Sequence, residues 1–525
     1  MRTPLSPAVR ALAVTAVLAL TAVACGDDNP TAIGSEAISG DAATAPLTDT
    51  SSSDTTGTGP ATTDTTLDAD GVGAIDWQPF GDGVETGSLD VPVDYQNPEA
   101  GTFDLYVARH LAMKPDERIG SLLVNPGGPG FGGSDFAVYA EQIYSQTLLD
   151  HFDIIGWDPR GTGLTAPAVD CVDDYDRYYA STDITPDDDA ERQQIIDLAQ
   201  EFQDACAAKN TDIIDFVGTN NTARDMDSIR RALGEDTISY FGFSYGSELG
   251  ATWATLFPDT VRAAVLDGAA DPTADFVTSG LQQTAGFEKS LDTFLARCSA
   301  NAACLFNNGG NAESAFDTLM QTIDDNPIPS APDRPNVTRG VALNGVAQAM
   351  YSETLWPELE QALAEAQAGD GTALLALHDA YFQRQADGTY DNSLEAFQTI
   401  SCMDQSERPT VEEEDAMAPR FTEVAPRFSP GTTGSYFCTF YPQTADPRVT
   451  ITGAGAGPIL VVGTTGDPAT PLSSTENMAK ALEQGVLLVV VADQHTGYGV
   501  NQCSYDVVDG YLVDLTVPES GTRCE

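Results

Sequence analysis

The pentapeptide Gly242-Phe243-Ser244-Tyr245-Gly246 fits Gly-x-Ser-x-Gly, a pattern that lifts a serine hydroxyl on a sharp strand-to-helix turn for attack on an acyl carbon. Glycine at both flanks permits the backbone conformation such a turn demands. In a chain with 47 glycines the pattern alone is a modest signal. Its setting strengthens it, because residues 237–241 read as a β-strand and 249–257 as a helix.

A serine hydroxyl is a weak nucleophile until a base takes its proton. The chain offers 4 histidines; His110 and His151 precede the turn, and His378 falls in a helical stretch at 374–381. His495 lies in Asp493-Gln494-His495-Thr496-Gly497, just past an apolar strand pattern, at the sheet edge where active-site residues gather. It is the expected base. Asp467, in Gly463-Thr464-Thr465-Gly466-Asp467-Pro468, leaves the preceding strand and is the expected acid that fixes the imidazole tautomer and stabilises the imidazolium. Asp493 competes for that role but reads as a structural neighbour at a strand end. The order serine, aspartate, histidine is that of α/β-hydrolases and of neither chymotrypsin nor subtilisin. Acyl transfer also needs donors for a developing oxyanion. The N–H of Tyr245 is one; the other is expected from Gly128, in Asn125-Pro126-Gly127-Gly128-Pro129-Gly130-Phe131-Gly132-Gly133. That run lacks the Lys-Ser/Thr ending of a phosphate-gripping loop.

To hold these residues the chain must form an α/β fold with a mainly parallel sheet flanked by helices. Strand patterns at 103–109, 121–124, 152–156, 237–241 and 263–266 alternate with helical ones such as 221–233. After Asp267-Gly268 the strand signal fades for about 185 residues, where helical spacing dominates at 291–297, 313–323 and 355–368. Apolar strands return at 458–463 and 486–491. The expected organisation is a first sheet part at 74–269, a large, mostly helical cap at 270–456 and a second sheet part at 457–525. A chain of 525 residues exceeds the roughly 250 to 300 that one core accommodates, which suits a sheet body with an insertion.

Acidic residues number 79 against 24 basic, a formal charge of −55 that disfavours nucleic acid and anionic lipid as partners. Residues 1–24 carry Arg2 and Arg10 and then an apolar run too short to cross a bilayer, the form of a signal peptide. Ala22-Val23-Ala24-Cys25 resembles a bacterial lipobox, which implies cleavage before Cys25 and lipidation of its thiol. Residues 25–73, rich in Thr, Ser, Asp, Ala and Gly, read as a disordered tether. The expected location is therefore outside the cytoplasmic membrane, anchored by lipid or secreted. Beyond Cys25 the chain holds Cys171, Cys206, Cys298, Cys304, Cys402, Cys438, Cys503 and Cys524, an even set that suits disulfides in an oxidising compartment. Pairing in chain order closes only short loops, although the sequence leaves other pairings open. With no Cys-x-x-Cys and no clustered histidines, no metal site and no cofactor are expected.

From about Trp77 to Cys524 the chain resembles the exported tripeptidyl aminopeptidase and proline iminopeptidase group of α/β-hydrolases. The resemblance rests on Leu89-Asp90-Val91-Pro92-Val93-Asp94-Tyr95, Asn125-Pro126-Gly127-Gly128-Pro129-Gly130, Asp158-Pro159-Arg160-Gly161-Thr162-Gly163, Asp225 to Gly234, Trp356-Pro357 and Ile400-Ser401-Cys402-Met403-Asp404. Trp77-Gln78-Pro79-Phe80 departs from it in lacking a cysteine. The resemblance implies a serine exopeptidase that releases one to three residues from the amino terminus of peptides. Recognition of a peptide ammonium would need a buried carboxylate, for which Asp404 and Glu248 are the candidates. Two alternatives stand beside this reading: a carboxylesterase with the same triad, and a catalytically silent surface-binding lipoprotein. A monomer is the default assembly.

Overall fold

The computed structural model describes residues 73–81 and 83–525. The expected signal peptide, Cys25 and all but the last residue of the expected tether lie outside the described residues.

A 10-stranded sheet organises the fold. It begins with three antiparallel strands, β1 (Gln78–Gly81), β2 (Val84–Pro92) and β3 (Thr102–His110). β3 lies antiparallel to β5 (Phe152–Trp157), and beyond it every neighbour is parallel. The order continues through β4 (Gly120–Asn125), β6 (Ile238–Phe243), β7 (Val261–Asp267), β8 (Ile459–Thr464), β9 (Gly485–Val490) and β10 (Thr522–Cys524). The central strands are buried along their whole length, which accounts for their unbroken apolar patterns.

Alternate residues of these strands feed two different cores. Leu123, Ile155, Tyr240, Leu266 and Val461 pack on one face with Met226 and Ile229 of helix Thr219–Ala232 and Leu249 and Trp253 of helix Tyr245–Leu256. Leu122, Val124, Phe241, Val265 and Leu460 pack on the other with Leu148 and with Val508 and Leu512 of helix Gln502–Asp514. Period-two side-chain alternation in a sheet covered on both sides produces this split. Between β7 and β8 the regular elements are helical, from Phe276–Ala300 through Ser393–Asp404 to Ser429–Thr432, and they enclose a core of their own around Phe294, Phe316, Leu343 and Leu363.

The strand patterns read from the sequence all form strands, with ends displaced by a residue or two. β6 runs on to Phe243, past the expected end at 241, because Gly242 stays in the ladder between Asn125 and Leu266. β1, β2 and β10 carry no clear sequence signal. β1 is exposed throughout, β2 is interrupted by polar residues and Gly87, and β10 is 3 residues long. The eight cysteines join in chain order, Cys171 to Cys206, Cys298 to Cys304, Cys402 to Cys438 and Cys503 to Cys524. The last pair fastens the edge strand β10 to helix Gln502–Asp514.

One buried ion pair gathers three of the sequence motifs. Arg160 and Asp225 are both wholly buried, with Nε donating to Oδ2 at 2.7 Å and Nη2 to Oδ1 at 2.5 Å. Nη1 also donates to the carbonyls of Val93 and Phe216, both at 3.0 Å, and Tyr95 donates its hydroxyl to Asp225 at 2.7 Å. Removing one partner strands the other's charge in the core, so Asp225→Ala should cost about 3–5 kcal/mol. Denaturant unfolding of the variant beside the wild type checks this; a loss below 1 kcal/mol would contradict the account.

Candidate active site

β6 ends at Phe243 and helix Tyr245–Leu256 begins two residues later, so Ser244 alone makes the turn between them. It adopts φ 55° and ψ −123°, a conformation that costs a non-glycine residue on the order of 1–3 kcal/mol. Packing holds it there. A Cβ on Gly242 would stand 2.3 Å from the Gly246 carbonyl, and one on Gly246 would stand 2.9 Å from the Asn125 carbonyl. The Tyr240 hydroxyl donates to the Gly246 carbonyl at 2.8 Å, and the Ser244 N–H donates to the carbonyl of Asp267 at 2.8 Å.

The glycine-rich loop after β4 presses against this turn. Gly127 has φ 103°, and a Cβ on it would meet the Phe243 carbonyl at 2.6 Å and the Ser244 Cβ at 2.9 Å. A Cβ there would also lie 3.2 Å from the Tyr245 nitrogen. Gly128, the residue singled out in the sequence, follows directly and has φ 109°. Tyr245 opens its helix, where backbone N–H groups have no acceptor within the helix itself.

His495 and Asp467 meet after β9 and β8. The Nδ1 atom lies 2.9 Å from both Asp467 oxygens, and the imidazole is almost wholly buried. Oδ1 of Asp467 also accepts the N–H groups of Ala469 at 3.0 Å and Thr470 at 2.8 Å. Oδ2 accepts the Thr470 hydroxyl at 3.1 Å and, at 3.4 Å, the N–H of Thr496. An ionised carboxylate so placed is fully hydrogen-bonded and fixes the tautomer with hydrogen on Nδ1, leaving the lone pair on Nε2, which has no partner among the described residues. A Cβ on Gly268 would lie 2.9 Å from His495 Cε1. The serine turn and the imidazole thus border the same Asp267-Gly268 corner.

Two residues that the sequence did not single out complete this geometry. The Thr470 hydroxyl stands 3.3 Å from His495 Nδ1 as well as on Asp467. Tyr351, from the helical segment, accepts the His495 N–H on its carbonyl at 2.9 Å and sets its ring edge-on to the imidazole at 5.6 Å between centroids. Asp467-Pro468-Ala469-Thr470 carries a local clue, a hydroxyl three residues after the acid; Tyr351 carries none, since its partner is distant in the chain.

The competing residues are occupied elsewhere. Asp493 pairs with Arg297. His378 is buried in the helical segment, with Nε2 3.0 Å from the Tyr179 carbonyl. The two carboxylates considered for a substrate ammonium lie close to Tyr245 but already have internal partners. Asp404 accepts the Thr219 N–H at 2.7 Å and its hydroxyl at 2.5 Å, and that hydroxyl also contacts the Tyr245 phenol. Glu248 is ion-paired with Arg448.

Comparison with known proteins agrees with the fold. Residues 120–308 match the family described as alpha/beta hydrolase fold, and residues 425–524 the family described as TAP-like protein. The chain is 36% identical over 465 residues to Serine protease Hip1 of Mycobacterium tuberculosis, covering 84% of this chain and 87% of the relative. It belongs to the TAP-like α/β-hydrolases. Carboxylesterase B of the same organism is 36% identical over 457 residues, with 83% and 85% covered. Tripeptidyl aminopeptidase of Streptomyces coelicolor is 28% identical over 454 residues, with 84% and 82% covered.

In this TAP-like hydrolase the electrostatics of the imidazole are set by opposing effects. Burial disfavours the imidazolium, while Asp467, through charge and hydrogen bond, and Asp267, through charge, favour it; the pKa ends above the ordinary value. Asp404 is pushed up to about 6 by burial, against the pull of Arg448 and the Thr219 bonds. An NMR titration of the His495 ring should therefore give a midpoint above about 6.5, and Asp467→Asn should lower it. A midpoint below the ordinary range in the wild type would contradict the assigned balance.

Proposed function

We propose that Ser244, His495 and Asp467 act as nucleophile, base and orienting acid, and that the protein is a serine exopeptidase releasing short segments from peptide amino termini. The observation that carries this reading is the fixed Nδ1 to Asp467 pair, with Nε2 unpartnered among the described residues and the imidazole bordering the same Asp267-Gly268 corner as the strained serine turn. In the first step the Ser244 oxygen bonds to the scissile carbonyl carbon as its proton passes to Nε2. The carbonyl oxygen becomes an oxyanion, received by the N–H groups of Tyr245 and Gly128. Collapse breaks the C–N bond, the imidazolium returns the proton to the leaving amine, and an acyl-enzyme remains. Water, deprotonated by the same imidazole, then releases the acyl group and restores the serine.

The peptide assignment draws on the relatives named serine protease and tripeptidyl aminopeptidase. We read residues 270–456 as a cap that limits access to the acyl side and confines cleavage to chain ends. Its contact with the imidazole through Tyr351 supports a direct part in forming the site. The disulfides suit export, and Cys25 is the proposed lipid attachment point. The relative named Carboxylesterase B supports a second reading, in which the same triad cleaves a non-peptide ester.

The two readings separate on one substrate set. The exopeptidase reading expects p-nitroanilides of peptides with a free amino terminus to turn over far faster than N-blocked counterparts. Equal turnover of blocked and free peptides would reject it, and turnover confined to short p-nitrophenyl esters would reject it in favour of the esterase.

A further inference from the structure

We propose that Asp267 is a positioning residue that fixes Ser244 and His495 relative to each other, using its main chain for one and its side chain for the other. The inference rests on the reading of those two residues as nucleophile and base. Asp267 is the last residue of β7, paired with Phe243 of β6 on one side and Val462 of β8 on the other. Its carbonyl accepts the Ser244 N–H at 2.8 Å. Its carboxylate, wholly buried, accepts the Gly497 N–H on Oδ1 at 2.7 Å and the Tyr498 N–H on Oδ2 at 2.8 Å. Those amides lie two and three residues past His495.

The loop between them has a conformation that needs holding. Thr496 has φ 70°, an unfavourable state for a β-branched side chain. The two bonds to Asp267 restrain the chain immediately after that point, and the Tyr351 carbonyl restrains it before, at the His495 N–H. Gly268, next to Asp267, has φ 66° and provides the space in which the imidazole edge sits. Its own N–H donates to the Val462 carbonyl at 2.9 Å, on the strand that leads to Asp467. A single corner of the sheet therefore sets the spacing of all three residues.

Asp267 is not a second orienting acid. Each carboxylate oxygen is taken by a backbone N–H, and His495 Nδ1 is committed to Asp467. Its effect on the imidazole is through space and through the loop. The groups that bear on its charge are the Gly497 and Tyr498 N–H groups and His495, which favour ionisation, and Asp467, which opposes it; burial outweighs them and pushes the carboxyl up to about 6. Ionised Asp267 adds to Asp467 in favouring the imidazolium, so its loss should move the acid limb of kcat/KM to lower pH.

An asparagine at this position keeps the volume but has one acceptor oxygen for two N–H groups and sets an amide N–H against the other. The test uses the full chain as wild type, Ser244→Ala, Asp267→Asn and Asp267→Ala, assayed with p-nitrophenyl butyrate and a free tripeptide p-nitroanilide, with near-ultraviolet circular dichroism as the folding control. Asp267→Asn should lower kcat about 10²-fold with KM little changed, and its acid limb should fall below that of the wild type. A folded Asp267→Asn with wild-type kcat and acid limb, beside an inactive Ser244→Ala, overturns the inference and leaves the triad reading standing. An active Ser244→Ala instead overturns the triad reading itself. If both Asp267 variants fail to fold, hydrogen exchange of the wild type decides: protected Gly497 and Tyr498 amides uphold the inference, and amides exchanging at open-loop rates overturn it.

Discussion

The bond between His495 Nδ1 and the Asp467 carboxylate sits where water is excluded, and much of the surrounding fold is arranged to make it tolerable. A buried carboxylate without enough donors would be protonated or would draw in water. Asp467 accepts donors from Ala469, Thr470 and Thr496 in addition to the imidazole. The donors come from the two loops that follow β8 and β9, so the adjacency of these parallel strands is a condition for the pair to exist. Parallel pairing also places the serine turn, after β6, at the same carboxyl edge.

The helical segment between β7 and β8 contributes to this arrangement as well. Tyr351 braces the imidazole from above, and Ser352 forms an isolated bridge with Gln494. At the other end of the site, Asp404 reaches from helix Ser393–Asp404 to Thr219, which contacts the Tyr245 phenol, and Arg448 holds Glu248 on the serine-turn helix. Displacing the segment would thus disturb both His495 and Tyr245.

The places of Ser244, Asp467 and His495 after β6, β8 and β9 were legible in the sequence because each sits beside a local signal: two glycines around a serine, and an apolar strand ending shortly before an acid or a histidine. Chain order then joined them. The parallel core was legible for the same reason, since strands buried on both faces leave unbroken apolar runs. β1 and β10 were not, being exposed or short, and held by pairing and a disulfide rather than by composition. Glu248 could be picked from the helix after the serine and Asp404 from the Ile400 to Asp404 motif, but Arg448 and Thr219, the partners that occupy them, are far off in the chain. Asp267 reads in sequence only as a strand end, and its hydrogen bonds to Ser244, Gly497 and Tyr498 exist only once β6, β7 and the histidine loop have come together.

We propose above that Ser244 is the nucleophile activated by the His495 and Asp467 pair. Labelling the folded protein with a fluorophosphonate probe and mapping the modified peptide tests it most directly. A single adduct on Ser244 is expected, formed at neutral pH and lost when His495 is replaced by alanine. An adduct on another serine, or no labelling of active protein, would contradict it.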